Sequence, residues 1–213
     1  MRLLVILLAV ATLVIGCGKQ KVTPPKQTPA LKSGVLQGKN ILMIVGHDGF
    51  QDEELAVPKD VFTKAGAKVT IASSDMSPAT GMEGASVKPD ILVSRVAAAD
   101  YDAIVFVGGY GSREYWDDSA AQGLAKRAFQ DNMVVGASSY APVILANADL
   151  IGGYQVTAWP DAVTPLHDDA AKFVPNEAVV TDWPFVTANG PDASEEFGKA
   201  VVRAMLAGKP KKK

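Results

Sequence analysis

From Lys39 onward the chain alternates short, wholly apolar runs with longer stretches in which apolar residues recur about every three or four positions. Asn40 to Val45 (Asn-Ile-Leu-Met-Ile-Val) is the first such run, and it stops at Gly46, as a strand buried on both faces of a parallel sheet does. Asp52 to Ala65 then places Leu55, Val61, Phe62 and Ala65 on one helical face and ends at Gly66. Lys68 to Ala72 reads as a second strand. The cycle repeats with a strand over Ala103 to Val107, a helix over Ser119 to Gln130, a strand over Met133 to Ala137 and a helix over Ala141 to Ala148. Shorter strands are expected around Val156, Val179 and Phe185, and a helix from Ser194 to Leu206 closes the pattern on Phe197, Val201, Val202 and Met205. Strand, helix, strand at these spacings imposes right-handed crossovers and predicts an α/β fold, a doubly wound and mostly parallel sheet with helices on both faces.

The segment before Lys39 breaks this rhythm. Arg2 is followed by an apolar run from Leu3 to Ile15, interrupted only by Thr12, and then by Gly16-Cys17. That run is short for a membrane span, which needs roughly 20 apolar residues, and its small-residue end suits a signal peptidase. Val14-Ile15-Gly16-Cys17 resembles the lipobox of bacterial lipoproteins, in which the cysteine is acylated and becomes the first residue of the mature chain. The resemblance implies a signal peptide over 1–17 and a lipid anchor on Cys17. It also implies a place in the bacterial envelope, on the periplasmic or extracytoplasmic side, with Gly18 favouring the outer membrane. Gly18 to Gly38, with Lys19, Lys21, Lys26, Lys32, Pro24, Pro25 and Pro29, reads as a flexible tether over 18–38. The domain is expected over 39–208, and 209–213 forms a short basic tail.

Charge narrows the partners. Loss of Arg2 from the 21 basic residues leaves 20 against 23 acidic ones, a net −3, and no basic stripe crosses the domain, so nucleic acid is not an expected partner. Cys17 is the sole cysteine, and the two histidines, His47 and His167, stand far apart outside any Cys/His cluster, so neither a metal nor a cofactor is expected.

In an open parallel sheet the ligand site lies beyond the carboxyl ends of the strands, and three sequence features fall there. The first is the acidic loop and helix start Gly46-His47-Asp48-Gly49-Phe50-Gln51-Asp52-Glu53-Glu54. Asp48, Asp52 and Glu53 read as solvated loop and helix-start charge rather than as cation ligands. The second feature is Gly108-Gly109, which frees backbone N–H groups beside a strand end. Val134 to Pro142 is the third: a strand turns directly into a helix among small residues, the geometry of a nucleophile elbow. Tyr110, Arg113, Glu114, Tyr115 and Trp116 after the glycine pair suit a pocket wall or, somewhat better, the face of a homodimer. His167 reads as surface or helix-start polarity.

Taken in order, these motifs resemble the ThiJ/PfpI superfamily, whose fold is a flavodoxin-like, glutamine amidotransferase-like sandwich and which includes cysteine peptidases, protein deglycases, glyoxalases and chaperone-like members. Glu54-Leu55-Ala56-Val57-Pro58 is similar to its Glu-x-x-x-Pro, Val107-Gly108-Gly109 to its Pro-Gly-Gly, and Thr187-Ala188-Asn189-Gly190-Pro191 to its turn into the last helix. Setting Pro142 on the proline after the family's Ala-x-Cys-x-Gly-Pro puts Ser139 at the nucleophile, Tyr140 at the variable position and Ala141 at the glycine. The resemblance implies that Glu54 hydrogen-bonds the residue at 139. Trp159 stands where some members carry a histidine.

Serine at the elbow removes the thiolate on which the family's peptidase and deglycase chemistry depends, and serine needs a dedicated base. Two function classes therefore stand open. In the first, a lipid-anchored domain without cysteine chemistry binds a small-molecule or peptide ligand, or serves as a chaperone-like or envelope-stress protein. In the second, a serine-based hydrolase of peptide, amide or ester bonds uses Ser139 as nucleophile, Glu54 and His47 as base, and the backbone of Gly108, Gly109 and Tyr140 as oxyanion hole.

Overall fold

The computed structural model describes residues 31–162, 166 and 171–210. Cys17, His167 and the basic residues 211–213 lie outside them, as does the greater part of the expected tether.

Seven strands form the central sheet in the order β11-β12-β8-β7-β1-β3-β6. They are β1 (Asn40–Ile44), β3 (Lys68–Ser73), β6 (Ile91–Leu92), β7 (Ala103–Phe106), β8 (Val134–Ser138), β11 (Val179–Asp182) and β12 (Phe185–Ala188). Every neighbouring pair is parallel except β11–β12, an antiparallel edge. Pleat parity explains the continuous apolar runs. Along β1 and the residue after it, Ile41, Met43 and Val45 pack on one face with α1 (Asp52–Lys64) and α4 (Ser194–Ala207), while Leu42 and Ile44 pack on the other with α2 (Ser119–Gln130) and α3 (Pro142–Asn147). Gly198 lets α4 close on α1, since a Cβ there would sit 3.1 Å from both the Pro58 backbone and the Val61 side chain.

The short strands are where structure and sequence reading part. The acidic loop contains β2 (Asp48–Phe50), which joins β4 (Ala79–Gly81) and β5 (Ser86–Val87) in a small second sheet. β9 (Gln155–Val156) forms where a strand was expected around Val156, but its partner β10 (Lys172–Phe173) was not read from the sequence. Strands of two or three residues are too short to carry a readable alternation. The packed chain also begins earlier than Lys39. Leu36 is 2 % exposed, and Leu31 and Val35 pack beside it against the α1 face. This turn caps the end of α1: Gly34 N–H donates to Lys64 O and Leu36 N–H to Ala65 O, satisfying carbonyls that the helix leaves open. Residues 31–38 therefore belong to the domain rather than to the tether.

Candidate functional site

The carboxyl ends of β1, β7 and β8 meet at Glu54, Gly108, Ser138 and Ser139. Glu54 lies in the first turn of α1 and is 1 % exposed. Pro58, four residues on, has no N–H for the carbonyl of Glu54, so the helix is loosened where this side chain leaves it. Its Oε2 accepts from Ser138 Oγ at 2.5 Å and from the Gly108 N–H at 3.2 Å, and Gly108 shares its N–H with Ser138 Oγ, also at 3.2 Å. Only glycine fits at 108, because a Cβ would stand 2.3 Å from Glu54 Oε2 and 2.5 Å from Ser138 O.

Burial pushes the Glu54 carboxyl up to about 7, and the Ser138 hydroxyl, the Gly108 N–H and the Ser139 hydroxyl each pull it back toward the charged form. Glu54 is therefore part protonated near neutrality. Its other oxygen, Oε1, is buried and has no hydrogen-bond partner among the described residues. Ser139 is near enough to act on Glu54 electrostatically, but no hydrogen bond of ordinary geometry joins them.

Ser138 is the partner that sequence reasoning missed, although the signal for it was present. Val135 and Ala137 face α2 and α3, so parity turns Val134, Gly136 and Ser138 toward α1, the helix that carries Glu54. The elbow follows at once. Ser139 has φ of 55°, left-handed for a non-glycine residue, and its N–H donates to Ala188 O at 2.9 Å while its carbonyl accepts from the Trp159 N–H at 3.0 Å. The end of β12 and the loop after β9 thus hold the strained residue in place.

Ser139 is 4 % exposed and opens on a cavity of about 90 Å³, whose walls include Gln51, Glu54, Gly109, Tyr110, Tyr140 and Trp159. That is space for about three waters at roughly 30 Å³ each. Gln51, the N-cap of α1, is a second wall residue that the sequence did not single out. Among the described residues, the N–H groups of Gly109 and Tyr140 donate to no protein acceptor. Of the three groups expected to form an oxyanion hole, Gly108 is thus committed to Glu54 and Ser138, while Gly109 and Tyr140 remain open.

His47 is not brought to this group. Its Nε2 lies 3.4 Å from Ser77 Oγ, its backbone N–H donates to Glu114 at 2.9 Å, and its buried Nδ1 has no partner. Asp52 is structural, accepting from the N–H groups of Glu83 and Ala85 in the turn between β4 and β5. No cluster of metal-ligating side chains occurs among the described residues. In the aromatic segment after Gly109, Tyr115 is buried and donates to Val45 O, while Tyr110, half exposed, lines the cavity mouth.

A model of the DJ-1/PfpI family matches residues 39–204. An uncharacterised protein of Methanocaldococcus jannaschii is 34 % identical over 173 residues, 80 % of this chain and 84 % of that protein. Protein/nucleic acid deglycase 2 of Escherichia coli is 30 % identical over 162 residues, covering 75 % of this chain and 94 % of its own. The crystal structure of a ThiJ/PfpI domain protein from Brachyspira murdochii superposes with a TM-score of 0.78 at 35 % identity, over 81 % of this chain and 99 % of that one.

Proposed function

The chain belongs to the DJ-1/PfpI family, and from that premise we propose that it is a member without cysteine chemistry, whose elbow cavity binds a small carbonyl-containing ligand. The observation that carries this reading is Glu54 Oε1, buried and unpartnered on the wall of a cavity that also offers the open N–H groups of Gly109 and Tyr140. A carbonyl or hydroxyl oxygen entering there meets two backbone donors and a carboxyl able to donate or accept. An unpartnered buried polar atom costs about 1–3 kcal/mol, which a bound ligand recovers.

Two of the relatives are named deglycases. In the family resemblance that activity rests on a cysteine at the elbow. Here the elbow residue is Ser139, and the sole cysteine of the chain is Cys17, so thiol-dependent deglycation is not expected. Serine hydrolysis is the second reading, favoured by the strained backbone of Ser139 beside two open N–H groups. Among the described residues no free base faces Ser139: Glu54 holds Ser138 by its short hydrogen bond, and His47 faces Ser77. Labelling with a fluorophosphonate, with Ser139→Ala as control, decides between them. Labelling no stronger than that of the control is expected, and Ser139-dependent labelling would establish the hydrolase.

Anchoring is part of the same proposal. The apolar run ending at Gly16-Cys17 and the polar segment after it support acylation of Cys17 and display of the domain outside the cytoplasm. Metabolic incorporation of labelled palmitate should vanish in Cys17→Ala, whereas a substituted chain still cleaved and membrane-retained would refute the anchor.

A further inference from the structure

Resting on the cavity reading above, we infer that Arg113 is the carboxylate-binding group of this site, so that the ligand is a small oxo acid rather than a neutral carbonyl compound. The Arg113 guanidinium carbon lies 4.9 Å from the ring centre of Tyr140, 5.2 Å from that of Tyr110 and 5.3 Å from that of Trp116. Tyr110 and Tyr140 are also cavity walls, so the rings that hold the guanidinium border the space in front of Ser139. The rings are fixed in turn. Tyr110 and Tyr140 pack with centres 5.2 Å apart, Trp116 Nε1 donates to Tyr140 O at 3.2 Å, and the Tyr140 hydroxyl donates to Asp161 at 3.2 Å.

Aromatic faces satisfy a guanidinium by cation–π attraction but leave its N–H edge unbonded. The Arg113 side chain forms no ion pair or hydrogen bond with any described residue, its backbone carbonyl alone accepting from the Trp116 N–H, and the acidic groups near it are occupied elsewhere. Glu114 accepts from the His47 N–H, Asp117 from Asn147, Asp118 from the N-terminus of α2 and Asp161 from Tyr140. An exposed arginine ordinarily loses side-chain entropy on gripping an anion, and three rings have already ordered this one. The planar fork it presents matches a carboxylate bidentately. A 90 Å³ cavity has room for the carbonyl end of a ligand only, and Arg113, which is not itself a wall residue, sits over the Tyr110 and Tyr140 rings at its border, where the charged end would emerge.

Calorimetric titration of the detergent-solubilised full chain tests this with two pairs of probes, pyruvate against methyl pyruvate and levulinate against methyl levulinate, which set the charge at two distances from the carbonyl. At least one acid should bind tenfold or more tighter than its ester. Arg113→Gln should abolish that advantage while leaving ester binding unchanged, and Arg113→Lys should restore part of it. Raised salt should weaken the acid alone. Thermal melting of both variants checks that folding is intact, as expected for an exposed side chain. An ester that binds as tightly as its acid, or an advantage that survives Arg113→Gln, overturns the role of Arg113 and leaves the cavity reading standing. Failure of all four compounds to bind overturns both.

Discussion

Two polar clusters lie at the same end of the sheet, and they have opposite characters. Around Glu54 the polar groups are buried, one short bond from Ser138 anchors the carboxyl, and a glycine without room for a Cβ locks the group together. Around His47 the contacts are exposed and the ring's own is long: Ser77 Oγ approaches it at 3.4 Å and is itself held by Asp75 at 2.6 Å. The backbone accounts for the difference. The loop after β1 and the loop after β7 press together so closely that a Cβ on Gly46 would lie 2.5 Å from Gly111, and one on Gly111 would lie 2.2 Å from Asp48 O. Backbone fills the space a side chain would need, and His47 is turned away toward the loop before β4. Proximity to a strand end is thus a poor guide to function when the intervening loops are glycine-packed.

The strongest way to break this contrast is to spoil the lock. Gly108→Ala would drive a methyl group into Glu54 and the Ser138 carbonyl, atoms fixed by strand and helix, so a loss of about 3 kcal/mol or more is expected in urea unfolding. Gly123→Ala is the matched control. Nothing lies within 4 Å of its Cβ position on α2, and helix propensity alone should stabilise the chain by up to about 1 kcal/mol. A cost at Gly108 no larger than the change at Gly123 would show that the crowding is relieved by movement of the elbow.

A second measurement reads the burial of Glu54 directly. Its carboxyl is raised by desolvation from 4.5 to about 7, so between those values the folded chain holds a proton that the unfolded chain has released. Stability from this group is therefore complete below about pH 4.5 and falls as pH rises to about 7, by up to about 3 kcal/mol from the size of the shift. Glu54→Gln should flatten the pH dependence of the unfolding free energy across that window. A profile as steep in the variant as in the wild type would mean that another group carries it.

Ser138→Ala should cost less, about 1–3 kcal/mol for removing the main donor to a buried carboxyl. Because that hydroxyl pulls the Glu54 carboxyl down, its loss should also move the declining limb of the stability profile to higher pH. An unchanged profile would demote the Ser138–Glu54 bond to a packing contact.

Much of this was legible in the residues. The runs at 40–45, 103–107 and 133–137 lie on central strands because strands covered on both faces need no polar alternation, and the strain at Ser139 follows from a strand and a helix separated by almost no chain. Two other features were harder to read, for physical reasons. The choice of Ser138 over Ser139 as partner to Glu54 is settled by pleat parity counted from a strand whose boundary moves by one residue between sequence and structure. The cage around Arg113 joins Tyr140 to Tyr110 and Trp116 across two different strand ends, a contact that no local pattern encodes.

The smallest expected effect sharpens the contrast most, because it asks both clusters the same question. Ser139→Cys in a Cys17→Ala background places one thiol at the elbow, and the pH dependence of its alkylation reports the charges that reach it. Glu54 is the nearest titrating neighbour, and its ionised form opposes a thiolate, so Glu54→Gln should lower the thiol pKa. His47→Gln should leave that pKa within about 0.2 unit, under roughly 0.3 kcal/mol of interaction. The same change should alter stability by no more than about 0.5 kcal/mol, since the residue is half-buried, its ring contact is long and its Nδ1 is already unpartnered. A larger shift on replacing His47 would show that the imidazole reaches the elbow in solution and would restore it as a candidate base for Ser139.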